Sequence, residues 1–173
     1  MASLGTWRPT GPVDVAAQID AAIRVWRRLA AGVDPSGLAS EANVFRLRRL
    51  SSVALRFGAA PERAALAVSL GVAAALEVPV SLSAPRAFDG LPEATVIEDD
   101  SSFLGRLESG GITRVRLVGG DLGPRLELMD HGLDVDVEPL NPIGERELLR
   151  YTREQAISET RHRHGNVRPA RTR

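Results

Sequence analysis

The chain contains no cysteine and no lysine, so all 22 of its basic residues are arginine. Without a thiol there is no disulfide, no thiolate metal site and no cysteine nucleophile. Without an ε-ammonium there is no Schiff-base lysine, no P-loop lysine and no catalytic lysine. The arginine-only usage itself reads as GC-rich codon bias. No apolar run reaches the ~20 residues that a membrane-spanning helix requires. The N-terminus has no basic region followed by an apolar block, so no signal peptide is expected and a cytoplasmic location is. The 22 basic residues are balanced by 22 acidic ones. That balance leaves no global basic field to hold nucleic acid or an anionic membrane.

What is present fits a folded domain. The 173 residues are 43% apolar and 25% charged, enough for one domain with a real core and tails. Val15, Ile19, Ile23, Trp26 and Ala30 recur at helical spacing, which predicts a helix over Val13–Ala31 that packs on the domain or on a neighbour. Asp34-Pro-Ser-Gly37 is a turn or linker. Asn43–Arg48 and Val53–Phe57 are strand candidates. The clearest helix runs from Pro61 to Glu77, apolar nearly all round and therefore buried on more than one side. Gly71 inside it costs roughly 1 kcal/mol against alanine, which suggests the close approach of a second helix. Strands follow at Val78–Leu82 and Ala94–Ile97. A helix carrying Phe103, Leu104 and Leu107 comes next, N-capped by Asp99, Asp100 or Ser101. Then come a strand over Ile112–Val118, a short helix over Pro124–Asp130 and a strand over Leu133–Val137. Glu145–Arg153 looks helical, and Gln155–His164 reads as an extended arm because Ile157, Ser158 and Thr160 together disfavour a helix. Helices between strands argue for a mostly parallel sheet. The fold class is α/β: a Rossmann-like three-layer α/β/α body with an N-terminal helix and a C-terminal arm.

Candidate chemistry is sparse. The one glycine-rich turn after a strand, Val118-Gly-Gly-Asp-Leu-Gly-Pro124, has the spacing GGxxG and a proline where a phosphate would want a donor. It is read as a strand-to-helix turn. His162 and His164 would share one face of a strand, but Arg153, Arg161, Arg163 and Arg168 crowd them and disfavour a dication. No metal site is assigned. The basic run Arg161–Arg173 lies near one aromatic, Tyr151, with no groove-reading fold, so nucleic acid is not an expected partner.

The stretch Tyr151–Asn166 is polar yet patterned. Arg153, Arg161 and Arg163 offer planar forks for carboxylates. Glu154, Gln155, Ser158, Thr160 and His162 offer matching polar groups, and Gly165-Asn166 gives a turn signal. Tyr151 and Ile157 are its apolar anchors. These residues form the candidate interaction arm, which would pair its backbone with an exposed sheet edge.

The run "REQAISETRHRHGN" (Arg153–Asn166) resembles the conserved C-terminal motif of the proline utilization A family, bifunctional enzymes with proline dehydrogenase and L-glutamate-γ-semialdehyde dehydrogenase activities. The segment "SGLASEANVFRLRR" (Ser36–Arg49) and the α/β pattern after it look like the extra, non-catalytic aldehyde-dehydrogenase-like domain of the longer members. The resemblance covers roughly residues 36–166, and the terminal motif is its specific part. His164 stands where an aromatic is common in that motif.

It implies an N-terminal helical segment and linker over 1–35 and an aldehyde-dehydrogenase-like Rossmann domain over 36–142. A C-terminal helix and docking arm would occupy 143–166, followed by a flexible tail over 167–173. "VPVSLSAPRAF" (Val78–Phe88) resembles the nucleotide-binding strand and loop of aldehyde dehydrogenases, but Ser83 and Ala84 replace the lysine step. With no cysteine to attack an aldehyde, the domain is expected to be a catalytically inert copy that binds no cofactor. It would cover the substrate-channelling tunnel, or an interface, of the catalytic chain in cis or in trans. A homodimer is left open, as is whether Met1 begins a split-off module or the chain ends a larger enzyme. The alternative reading is an NAD-dependent L-glutamate-γ-semialdehyde dehydrogenase fragment or subunit.

Overall fold

The computed structural model describes residues 12–112, 114–119, 128–163 and 166–167. Helix α1 spans Val15–Ala30, and Asp14 caps it by accepting from the Ala17 amide at 3.1 Å. Strand β1 is Glu41–Arg49 and β2 is Val53–Phe57. Helix α2, Arg63–Ala75, starts on Glu62, whose carboxylate accepts from the Ala64 and Ala65 amides at 3.0 Å each. Strands β3 (Val80–Ala84) and β4 (Val96–Ile97) follow. Helix α3, Asp100–Gly110, is capped by Asp99, which accepts from Ser102 at 2.7 Å. Strands β5 (Arg114–Val118) and β6 (Asp134–Asp136), helix α4 (Gly144–Leu148) and strand β7 (Thr152–Thr160) complete the main body. A short antiparallel pair, β8 (His162–Arg163) with β9 (Asn166–Val167), closes the described chain.

The body is a five-stranded sheet in the order β4-β3-β2-β5-β6, and every neighbouring pair is parallel. The chain builds outward from β2 through β3 to β4, then returns to lay β5 on the other side of β2. That is a Rossmann-like α/β arrangement, as the alternation of strands and helices led us to expect.

Strand alternation divides the core between the two faces of the sheet. Val53, Leu55 and Phe57 of β2 point to the α2 side; Ala54 and Arg56 point to the α3 side. On the α2 side, Val53 packs with Leu47, Val68, Val72, Leu76, Leu148 and Tyr151, and α1 contributes Ala22 and Ile19. On the α3 side, Ala54 packs with Phe103, Leu107, Val115, Leu117 and Leu128. Helix α1 lies close on both α2 and α4. A Cβ on Gly71 would collide with Ile19 Cδ1, and one on Gly144 would collide with the Gln18 carbonyl. The mid-helix glycine of α2 therefore marks a close helix approach.

Strand β1 lies outside the parallel sheet. It pairs antiparallel with β7 over nine positions, from Glu41↔Thr160 to Arg49↔Thr152. The helix expected over Glu145–Arg153 ends at Leu148. There the Thr152 hydroxyl donates to the Leu148 carbonyl at 3.0 Å, Arg114 donates to the Arg150 and Thr152 carbonyls at 3.1 Å each, and the chain turns into a strand. Most of the helix expected over Pro124–Asp130 lies outside the described residues, of which 128–130 are helical.

Candidate interaction site

The arm is rooted in the core. Tyr151 is fully buried, and its hydroxyl shares a 2.7 Å hydrogen bond with Ser69 Oγ of α2. Burial raises its pKa above the ordinary phenol value, and the charge of Glu147 adds to that; the Arg116 charge and the Ser69 hydrogen bond oppose it. The sequence makes Tyr151 an apolar anchor of the arm, and its ring lies in the hydrophobic core, where an aromatic between a helix end and a strand is the largest apolar body available to fill that corner.

Beyond Tyr151 the chain leaves the core. Thr152 is buried, and every residue from Arg153 to Thr160 is exposed. The register sets Arg153 opposite Arg48, Glu154 opposite Leu47, Gln155 opposite Arg46, Ser158 opposite Asn43 and Thr160 opposite Glu41. Two cross-strand hydrogen bonds fix it: Arg46 Nε donates to Gln155 Oε1 at 2.7 Å, and Ser158 Oγ donates to Asn43 Oδ1 at 2.8 Å. Asn43 is held in turn by Asp34, which accepts its amide at 3.1 Å. The Ser36 hydroxyl and then the Asn43 amide pull the Asp34 pKa down to about 2. Partners for Gln155 and Ser158 therefore come from β1, more than 100 residues upstream. No local pattern in the sequence revealed them.

The second edge of β7 has no strand beside it among the described residues. His162, Arg163 and Asn166 fall in the β8–β9 pair, and Gly165 lies outside the described residues. His131 meets Glu108 of α3 at 2.8 Å. No group of three metal-ligating side chains occurs among the described residues.

The carboxyl ends of parallel strands are where open α/β sheets bind ligands. Here that region is occupied by the protein's own side chains. Arg56 of β2, almost fully buried, donates to Ser83 Oγ at 2.6 Å, to the Glu98 carbonyl at 3.0 Å and to Asp100 at 2.5 Å, and it stacks 4.8 Å from the Phe103 ring centroid. Ser83, which stands where the lysine step of an aldehyde dehydrogenase would come, is fully buried and donates to Glu98 at 2.7 Å. Arg106 closes the cluster on Glu98 at 2.5 Å. Its hydrogen bond is the largest cause holding the Glu98 carboxyl below its usual value. Beside it, Gly119 after β5 lies so near Ala59 after β2 that a Cβ would sit 3.1 Å from the alanine methyl.

A second buried arginine holds the other face. Arg116 is fully buried and meets Glu147, also fully buried, through Nη1 at 2.6 Å and Nη2 at 3.2 Å. It also donates to Ser69 at 3.2 Å. Asp136 lies 3.2 Å from its Nε, close enough for charge attraction but misaligned for a hydrogen bond. Burial works against the Arg116 charge, yet the Glu147 hydrogen bond and charge outweigh it and raise the pKa. The sequence hid both arginines. In a sheet covered on two faces, an arginine alternating with valine and leucine points into the opposite core rather than to water.

The fold and these clusters define a Rossmann-like α/β protein with an appended antiparallel ribbon. The chain is similar in structure to proline utilization A (PutA) from Corynebacterium freiburgense, with a TM-score of 0.56 and 21% identity, over 89% of this chain. The chain spans 14% of the length of that structure. At this identity the likeness is one of fold. No protein-family model matches the chain, and no curated protein does.

Proposed function

We propose that this chain is a non-catalytic structural module of a proline-to-glutamate dehydrogenase system, covering the substrate-channelling tunnel or an interface of the catalytic chain. The ribbon carries the proposal. Strand β7 is anchored through Tyr151, held in register by β1, and presents eight consecutive exposed residues beside an edge with no strand partner among those described. An edge of this kind accepts a strand or loop of another chain through backbone hydrogen bonds, while Arg153, Glu154 and Gln155 select side chains. The absence of cysteine from the sequence supports a role without aldehyde chemistry. The packing of Arg56, Ser83 and Glu98 at the strand ends supports a scaffold that holds itself together where a nucleotide would otherwise lie. The similarity to proline utilization A points to proline catabolism as the setting.

The test is co-purification with a proline dehydrogenase and semialdehyde dehydrogenase catalytic chain, using wild type and the double variant Glu154→Ala, Arg163→Ala. The double variant should keep its melting temperature and lose association. Equal capture of both proteins, or saturable micromolar NAD binding by the isolated chain in calorimetry, would reject the reading.

A further inference from the structure

Strand alternation gives the β1–β7 ribbon two unlike faces. Leu47 is buried in the core and Phe45 packs against it, so their face is the inner one. The outer face consists of cross-strand rows: Arg48 with Arg153, Arg46 with Gln155, and Val44 with Ile157.

Each row has its own chemistry. Arg48 and Arg153 are both exposed, and among the described residues neither meets an acid. Like charges directly opposite each other destabilise a strand pair, so this row works against the ribbon it sits on. A carboxylate from outside would be held by two guanidinium forks and would turn the repulsion into attraction. In the middle row Arg46 Nε donates to Gln155 Oε1 at 2.7 Å, which keeps the strands in register. The third row is apolar, and Ile157 is 37% exposed, one of few large apolar side chains so open on this surface. Four residues separate the first row from the third, roughly 14 Å at about 3.4 Å per residue. In an extended chain, side chains four apart point the same way and span that same distance. The face therefore matches an extended segment with an acid at one position and an apolar residue four positions on.

Other occupants fit less well. A second copy of this face would set arginines against arginines. A phosphate backbone would leave the Val44–Ile157 row without a partner and would meet Glu159 in the row beyond. The chain's net charge of zero gives no long-range pull on a polyanion either.

We propose that the outer face of the ribbon takes an extended acidic segment of the partner protein, with a carboxylate between Arg48 and Arg153 and an apolar side chain on Val44 and Ile157. This rests on the docking role proposed above and supplies the chemistry of the surface that docks.

The probe is the peptide acetyl-Thr-Glu-Thr-Glu-Thr-Val-Thr-amide, with glutamine in place of both glutamates as its neutral counterpart. Binding is followed in the full chain by NMR titration. The acidic peptide should shift the Arg48, Arg153 and Ile157 amides saturably and lose affinity as salt is raised. The neutral peptide, and the variant Arg48→Gln with Arg153→Gln, should each bind about tenfold more weakly or worse, as loss of charge-assisted hydrogen bonds implies. Arg153→Glu places opposite charges across the strands, so it should lose the peptide while its melting temperature stays the same or rises. Equal affinity for the two peptides, indifference to salt, or a lower melting temperature for Arg153→Glu would overturn the proposal. Tighter binding of a short DNA duplex than of the acidic peptide would overturn it too. Co-purification separates this inference from the docking role. Capture of the catalytic chain that survives Arg48→Gln with Arg153→Gln undiminished would sink the acidic-segment assignment and leave docking intact. Peptide binding as described, with no capture by wild type, would sink the docking role and leave the assignment of the face.

Discussion

The parallel sheet and the antiparallel ribbon use the same side chain in opposite ways. In the sheet, Arg116 is fully buried and is met by Glu147, Asp136 and Ser69, while Arg56 is met by Asp100, Ser83 and the Glu98 carbonyl. In the ribbon, Arg48 and Arg153 face each other in the open, and neither meets an acid among the described residues. Water exclusion accounts for the difference. A guanidinium taken out of solvent needs its counter-charges built into the fold. One left in solvent costs little to leave unpaired and stays available to an outside partner. The sheet's arginines are thus part of its stability, whereas the ribbon's arginines are free to recognise something else.

The largest expected effect breaks the buried side of this contrast. Glu147→Ala removes the bidentate partner of Arg116 and leaves it the misaligned Asp136 alone as counter-charge; it should cost about 3–5 kcal/mol, measured by denaturant unfolding. The paired replacement Arg116→Met with Glu147→Leu should be far milder than either single change, because it removes both charges. Next comes the seat of α1. Gly144→Ala drives a methyl into the Gln18 carbonyl and should cost about 1–3 kcal/mol, with a fall in melting temperature.

The anchor between the two regions should respond less. Tyr151→Phe loses the Ser69 hydrogen bond and should cost about 0.5–1.5 kcal/mol near neutral pH. It also tests the raised phenol pKa. A group whose folded pKa lies above its unfolded one contributes stability below the unfolded value and loses it as pH rises through the folded value. Wild type should therefore lose stability above about pH 10 more steeply than Tyr151→Phe, as thermal melts across the alkaline range would record. The smallest effect falls on the ribbon. Gln155→Ala and Ser158→Ala should each change stability by no more than about 0.5 kcal/mol, while reducing capture of a catalytic chain.

How far the sequence reveals this contrast differs between the regions. The strand patterns of β2 and β5, the all-round apolar α2 and a helix cap among Asp99, Asp100 and Ser101 are local patterns, and each is readable along the chain. Gly71 announced the approach of α1 because a costly residue in a helix has to be explained by its neighbour. The pairing of β1 with β7 was not readable. Its register rests on contacts such as Arg46 with Gln155 and Asn43 with Ser158, which carry no local periodicity. The end of α4 was misplaced for a related reason. Glu147 and Tyr151 suit a continuing helix in isolation, but Arg116 takes the one and the core takes the other. The extended character of 155–160 did show, because β-branched residues there weigh against a helix.

Amide hydrogen exchange over residues 153–160 tests the docking claim most directly. It would be measured on the chain alone and again with the proline dehydrogenase and semialdehyde dehydrogenase catalytic chain. We expect those amides of β7 that do not bond to β1 to exchange rapidly alone and to become protected in the mixture, with the amides of β2 and β5 unchanged. Unaltered exchange across 153–160 at concentrations where both chains are present in excess of micromolar would contradict a docking ribbon.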